Sequence, residues 1–296
     1  MQNNWPFIYE QSESLKKLGI EMDLFLIKGK GILGYLKNLK PLRNLVKLNS
    51  YDLIHAHYGL SGMLAVMQRL SPVIISIIGS DIYRRRDRIF SKIAIRLSAH
   101  NIFVEKKLSE RAKAKNNYSI ISYGVDTDIF TPLDKNECRK QMNLDIESRI
   151  ALFPSSFNRP EKNYLLAKKA VELVGGMKII QMGGDYTREE VNKLFNACDL
   201  VLMTSLTEGS PMVIKEAMAC NCSIVSTDVG DVKEIIGNTR GCYISSFDPE
   251  DVADKIKKAI DFGRRTDGRE KIKRFEINTI ARQIKSIYEQ VINDLI

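Results

Sequence analysis

Two glutamates, Glu208 and Glu216, stand eight positions apart in the stretch TSLTEGSPMVIKE, from Thr204 to Glu216. Between them the chain turns at Gly209-Ser210-Pro211 and enters a helical pattern. Ser210 is placed to cap that helix with its hydroxyl, and Pro211 suits the first helical position. The first N–H groups of a helix have no partners within it, and the helix dipole adds roughly half a positive charge there. An anion is therefore expected against the N–H groups of Ser210 and Met212, with Pro211 shaping the turn. Gly209 lets the backbone come close to such a ligand.

Glu216 falls in the second turn, with Val213 and Cys220 as its i−3 and i+4 neighbours, so it faces the apolar side. A carboxylate there needs hydrogen bonds. Sugar hydroxyls would supply them, and so would a structural partner in the core. Glu208, at the helix mouth, meets either a ligand or solvent. Arg159 and Lys162, in FNRPEKN, lie in another loop at the same sheet edge. Two cations beside an anion-binding helix suit a diphosphate; a charged surface loop is the alternative. Gly183-Gly184, after Met182, makes a third permissive loop on that edge.

The other groups able to do chemistry are sparse. His55 and His57 alternate on one strand, so they share a face, and a three-histidine metal site would also need His100. One of the pair can line a pocket floor while the other bonds within the core. Asp126-Thr127-Asp128 spells DxD, a pattern that holds a metal in some sugar transferases, but it falls in an inter-domain link. Five cysteines without a CxxC pair argue for a reducing cytosol, with Cys220 and Cys222 as small buried hydrophobes.

These residues need two sheets to position them. At 296 residues and 44% hydrophobic content the chain can build two α/β cores. Strands are expected at 21–27, 53–57, 73–78, 101–104 and 119–122, then at 150–153, 177–182, 200–203, 223–226 and 242–244. Amphipathic helices are expected at 7–18, 60–70, 88–99, 164–174, 188–197, 212–219, 249–262 and 277–296. Continuous apolar strands alternating with such helices indicate parallel sheets covered on both faces. Gly, Pro and Asp cluster in YGVDTDIFTPLD, from Tyr123 to Asp134. This places one domain at 1–124, a second at 125–276 and a final helix at 277–296. The chain opens on a helical run rather than on the strand and Gly-rich turn that normally start a doubly wound domain, so the first domain reads as truncated at its start.

No apolar run reaches the ~18–20 residues of a membrane span, and the N-terminus lacks a signal-peptide pattern. The net charge of +9 is uneven. Residues 1–124 hold 20 Lys and Arg against 9 Asp and Glu, with dense spots at Lys28–Lys47 and at Arg84, Arg85, Arg86 and Arg88. Either this is a solvated surface, or it meets an anionic partner: a membrane, a phosphorylated acceptor or nucleic acid. Nucleic acid is supported by charge alone.

The block EGSPMVIKEAMACNCSIVSTDVGDVKEIIG resembles the E-x7-E region of the family-4 retaining glycosyltransferases, which have the GT-B fold. YDLIHAHYGLSG, the IIGSD segment, YGVDTDIFTP and FNRPEKN resemble further blocks of that family in the same order. The resemblance implies two Rossmann-like domains, with parallel sheets facing across a cleft and the last helix returning to the first domain. It implies a nucleotide-diphosphate sugar as donor and a glycan or lipid-linked acceptor, in surface polysaccharide or glycolipid synthesis. By position, Glu216 would bond the ribose, and Glu208, Gly209 and Ser210 the donor sugar. Arg159 and Lys162 would stabilise the leaving diphosphate, with no metal or other cofactor. On the acceptor side, the family's His before Gly-Ser-Asp is Ile78 here, which leaves His57 or Asp81 as its substitute. Arg159 is closer to Lys162 than the family spacing, and only 45 residues separate Lys162 from Glu208, so one β/α unit is expected to be reduced. A relative that binds nucleotide sugar without transferring it is the alternative.

Overall fold

Apolar runs become parallel strands in two separate sheets. In a computed structural model, which describes residues 6–29, 31–184 and 186–294, the chain divides into two units. The C-terminal unit comprises Met1–Glu10 and Gly124–Ile277; the N-terminal unit comprises Gln11–Tyr123 and Asn278–Ile296. Residues 6–10 thus group with the second unit, whereas the sequence expectation gave them to the first domain.

The N-terminal unit contains most of α1 (Pro6–Lys16), then α2 (Gly31–Leu36), α3 (Leu39–Asn49), β1 (Ile54–His57), α4 (Gly59–Met67) and β2 (Val73–Ile77). Next come α5 (Ser80–Tyr83), α6 (Arg85–Leu97), β3 (His100–Phe103), α7 (Lys106–Ala112) and β4 (Tyr118–Ile120). The sheet order is β1-β2-β3-β4, all parallel. Successive residues of a strand point to opposite faces. Ile74 accordingly packs with Ile280, Ile284 and Tyr288 of the last helix, whereas Ile75 meets α4, where a Cβ on Gly62 would stand 2.6 Å from it.

Residues 21–27 form no strand, contrary to the expectation. Their apolar side chains are divided: Met22 joins the cluster of Leu15 and Ile284, and Phe25 and Ile27 join that of Leu42, Val46 and Leu64. Leu24 and Leu26 are exposed. Alternation is present, but among the described residues no neighbouring strand offers a ladder. The four described strands therefore wind in one direction, without the reversal of a doubly wound sheet. Helices α2 and α3 occupy the basic 28–47 stretch, where the sequence signalled charge rather than structure.

The C-terminal unit contains α8 (Lys135–Gln141), β5 (Arg149–Phe153), α9 (Tyr164–Val174), β6 (Met177–Gln181), α10 (Arg188–Ala197), β7 (Leu200–Met203) and α11 (Met212–Ala219). It continues with β8 (Ser223–Thr227), α12 (Val232–Ile236), β9 (Cys242–Ser245), α13 (Pro249–Phe262) and α14 (Gly268–Lys271) before α15 (Ile277–Asn293). The parallel order is β6-β5-β7-β8-β9. Ile150, Leu152, Val201 and Met203 face a core with α10, α11 and α12; Ala151, Phe153, Leu200 and Leu202 face one with α9 and α13. Both faces are covered, which is why these strands are apolar throughout. The chain steps from β5 outward to β6 and returns past β5 to β7. That reversal is the switch point of an open α/β sheet, and ligands bind beyond the strand ends there.

Candidate functional site

Three loops meet beyond β5, β7 and β8. Thr204 Oγ1 donates to the carbonyls of Lys162 (3.2 Å) and Asn163 (3.0 Å), and the Leu206 N–H donates to Glu161 O (2.9 Å). Thr227 Oγ1 donates to Ser205 O (2.8 Å), and the Asp231 N–H to Gly209 O (3.2 Å). The 208–210 turn lies so close to Gly230 that a Cβ there would stand 2.0 Å from Gly209 O. Gly230 also has φ +58, so glycine is required on both counts. The loop after β6 joins the group at Gly183, whose Cβ position is 3.3 Å from Ser156 Cα.

Lys162 and Glu208 are brought together: Lys162 Nζ donates to Glu208 Oε1 at 2.5 Å, and both side chains are largely buried. Arg159 is not brought in. Its guanidinium pairs with Glu161, two residues on, and stays exposed. Lys162 also lines a small recess, with room for about one water, together with Phe153, Ser155, Met203, Ser205 and Val213. Ser205 Oγ is buried and has no hydrogen-bond partner among the described residues.

Helix α11 spans Met212–Ala219, as the apolar pattern predicts, but its N-cap is Pro211 rather than the expected Ser210. The Ser210 hydroxyl donates to Asp231 Oδ2 (2.6 Å) and accepts from Lys215 Nζ (2.9 Å). Lys215 is fully buried beside Asp231, with its ammonium 5.3 Å from the centre of the Phe275 ring. Burial pulls the Lys215 pKa down to about 8, against the attraction of Asp231 and Glu216. Burial raises the Asp231 carboxyl, against Lys215 and the Ser210 bond. Its Oδ1 is buried without a partner among the described residues. This triad under the Glu208–Ser210 turn was not foreseen. A lysine beside Glu216 on an otherwise apolar helix was the available signal.

Glu216 is 4% exposed and its Oε1 accepts from Arg188 Nη2 at 2.8 Å. Arg188 also donates through Nε to Glu10 Oε1 (2.6 Å) and lies over the Phe130 ring at 4.5 Å. Burial opposes the charged guanidinium, but Glu216 and Glu10 together hold its pKa above the ordinary value. Burial also raises the Glu10 carboxyl, despite Arg188. Arg188 is presented by the first turn of α10, fixed by a capping box between Thr187 and Glu190. The T-x-x-E spacing at 187–190 was legible; its service to Glu216, 28 residues on, was not.

In the N-terminal unit, His57 Nδ1 is 2.8 Å from the Tyr123 hydroxyl. His55 Nδ1 is 2.6 Å from the Tyr288 hydroxyl, its Nε2 is 2.8 Å from Ser76 Oγ, and the two imidazoles stack at 4.4 Å. Burial lowers His57 to about 4 and His55 well below its usual value, so both are neutral at pH 7. Asp81 is fully buried, and its carboxylate accepts from the N–H groups of Gly79 (2.8 Å), Ile78 (3.2 Å) and Gly59 (3.2 Å). The acceptor-side expectation for Asp81 is corrected: it has no surface to offer and holds the loop before α5. Among the described residues no His, Cys, Asp and Glu group suits a metal. Asp126 Oδ1 accepts from the N–H groups of Asp128 and Ile129 in a turn, and the thiols of Cys220 and Cys222 donate to Asn192 Oδ1 and Phe195 O.

Two family models match the chain. Residues 7–106 match Glycosyl transferase 4-like, and residues 149–261 match Glycosyl transferases group 1. A Bacillus subtilis glycosyltransferase assigned to teichuronic acid biosynthesis is 25% identical over 70% of this chain, which spans 61% of that protein. Sucrose-phosphate synthase from Thermosynechococcus elongatus has a similar structure, with a TM-score of 0.85, 16% identity, and coverage of 98% of this chain and 93% of that one. HepE of Anabaena, solved with UDP, follows at a TM-score of 0.73 and 17% identity, with 94% of this chain and 89% of that one covered. The chain thus shares the GT-B fold with these structures, and each half is similar to a glycosyltransferase family model.

Proposed function

We propose that this protein transfers a sugar, with retention of configuration, from a nucleotide-diphosphate sugar to a glycan or lipid-linked acceptor in cell-surface polysaccharide or glycolipid synthesis. The observation that carries the reading is the convergence of Lys162, Glu208, the α11 N-terminus and Glu216 at the switch point of one sheet. The diphosphate lies against the α11 N–H groups and the Lys162 ammonium. Glu216, held by Arg188 through Oε1, accepts the ribose hydroxyls. The diphosphate competes with Glu208 for Lys162, and Glu208 is then free to accept donor-sugar hydroxyls, beside Gly209 and Ser210. UDP is the first nucleotide to try, because HepE was solved with it.

The bond from the anomeric carbon to the leaving phosphate breaks on the face where the acceptor oxygen bonds. The acceptor's proton passes to the departing phosphate oxygen. The protein supplies position and charge compensation rather than a strong base. Lys162 and the helix dipole do the work that a divalent cation does elsewhere, so chelators are expected to leave turnover unchanged. The role expected for Arg159 passes to Lys162 alone, and His57 stays as the acceptor-side group.

The test is transfer or donor hydrolysis with a panel of nucleotide sugars, comparing wild type with Glu216→Gln. A raised donor KM in the variant supports the reading. Equal kinetics would remove Glu216 from the site. Tight nucleotide binding without turnover in the wild type would make this a binding module.

A further inference from the structure

Helix α6 has an outward face that the N-terminal unit does not use. Its inward face carries buried Ser91 and Ala94, and Asp87 turns in to accept from the Tyr58 hydroxyl (2.7 Å). Ser91 packs so closely on α4 that a Cβ at Gly59 would collide with it. On the opposite side Ile89, Ile93 and Leu97 are 64%, 38% and 64% exposed. Spaced by four, they form one stripe. Arg85, Arg88, Lys92 and Arg96 make the row beside it, and Arg86 lies on the stripe's other flank.

None of these five cations forms an ion pair among the described residues, and the acidic residue within α6 is the inward-turned Asp87. Partial desolvation pulls the Lys92 ammonium below its usual range, and so do the charges of Arg88, Lys113, Arg96 and Arg111. The last turn and C-cap of α7 thus extend the same positive patch. A basic row beside an outward aliphatic stripe is the pattern of a helix that lies at an interface. Nucleic acid would meet the cations but offers no apolar layer to three aliphatic side chains. A bilayer offers both: headgroup phosphates and, just beneath them, the acyl boundary.

We propose that α6 is a membrane-surface helix that lays Ile89, Ile93 and Leu97 into the interface of an anionic bilayer, with Arg85, Arg88, Lys92 and Arg96 on lipid phosphates. The attachment is peripheral: among the described residues no helix is long and apolar enough to cross a membrane. The inference does not depend on the transferase reading, because binding to lipid is measured without nucleotide sugar.

The experiment is co-sedimentation of the full chain with phosphatidylcholine vesicles, with and without phosphatidylglycerol. Binding is expected only with the anionic lipid. It should fall at least about tenfold in Arg88→Glu/Lys92→Glu/Arg96→Glu. Ile89→Ser/Leu97→Ser should weaken it severalfold, with the melting midpoint unchanged since both side chains are exposed. The five native cysteines are buried, so Ile93→Cys can be labelled with an environment-sensitive fluorophore. A blue shift on anionic vesicles is expected, and none from a label at Leu173→Cys, which lies on α9. Equal binding to neutral vesicles, or no shift at position 93, overturns the proposal. So does RNA retention that the charge reversals abolish, if vesicles do not bind.

Discussion

At residue scale the site is a set of held charges. Lys162 faces Glu208, and Arg188 faces Glu216 and Glu10. Lys162→Ala should lower kcat by about 10²–10³-fold, the usual loss when one charge-stabilising donor is removed, with a smaller change in donor KM. Steady-state kinetics check this, and Arg159→Ala is the internal control expected to stay near wild type. Arg188→Ala should raise donor KM through a misplaced Glu216. A fall in kcat alone would separate Arg188 from nucleotide binding. Lys215→Met leaves Asp231 buried without its cation. That should cost about 3–5 kcal/mol in urea unfolding, and adding Asp231→Asn should recover part of it. A fully additive double mutant would show that the two are not coupled. Of this network the two glutamates and Lys162 were readable from residue type and spacing. Arg188, Lys215 and Asp231 were not, because each gains its meaning from a partner that only folding brings near.

At element scale the loops are set by the strand order. Gly230 is the point where the loop before α12 passes the turn before α11, and Gly230→Ala puts a Cβ against Gly209 O at a left-handed φ. The expected outcome is loss of donor binding by calorimetry, with about 1–3 kcal/mol of lost stability. Wild-type affinity in this variant would show that the turn can shift without consequence. The capping box of α10 gives a gentler test. Thr187→Ala should cost about 1 kcal/mol and raise donor KM modestly through Arg188. The periodicity in the C-terminal half was clear because both faces of its sheet are buried. In the N-terminal half it misled at 21–27, where alternating apolar residues pack into two clusters without a ladder.

At the scale of the whole molecule, half-buried neutral histidines make stability depend on pH. His57 titrates at about 4 in the folded chain and at the ordinary 6.5 when unfolded. Between those values the unfolded chain binds more protons, so stability is complete above pH 6.5 and falls as pH drops towards 4. The shift corresponds to about 3 kcal/mol, and His55 adds in the same direction. Melting from pH 8 to 4 should show the N-terminal unit losing stability across this window, with a shallower slope in His57→Gln. Identical slopes would assign the acid sensitivity to other groups. Sequence alone determined the two-part α/β architecture, the loop-to-helix turn at 208–212 and the charge imbalance, because these follow from periodicity, turn chemistry and composition. Tertiary structure alone decided that Lys162 rather than Arg159 meets Glu208, that Asp81 is a buried loop anchor, and that α6 turns its aliphatic stripe outward. Each of those depends on which face a neighbouring element covers, and spacing along the chain does not encode that.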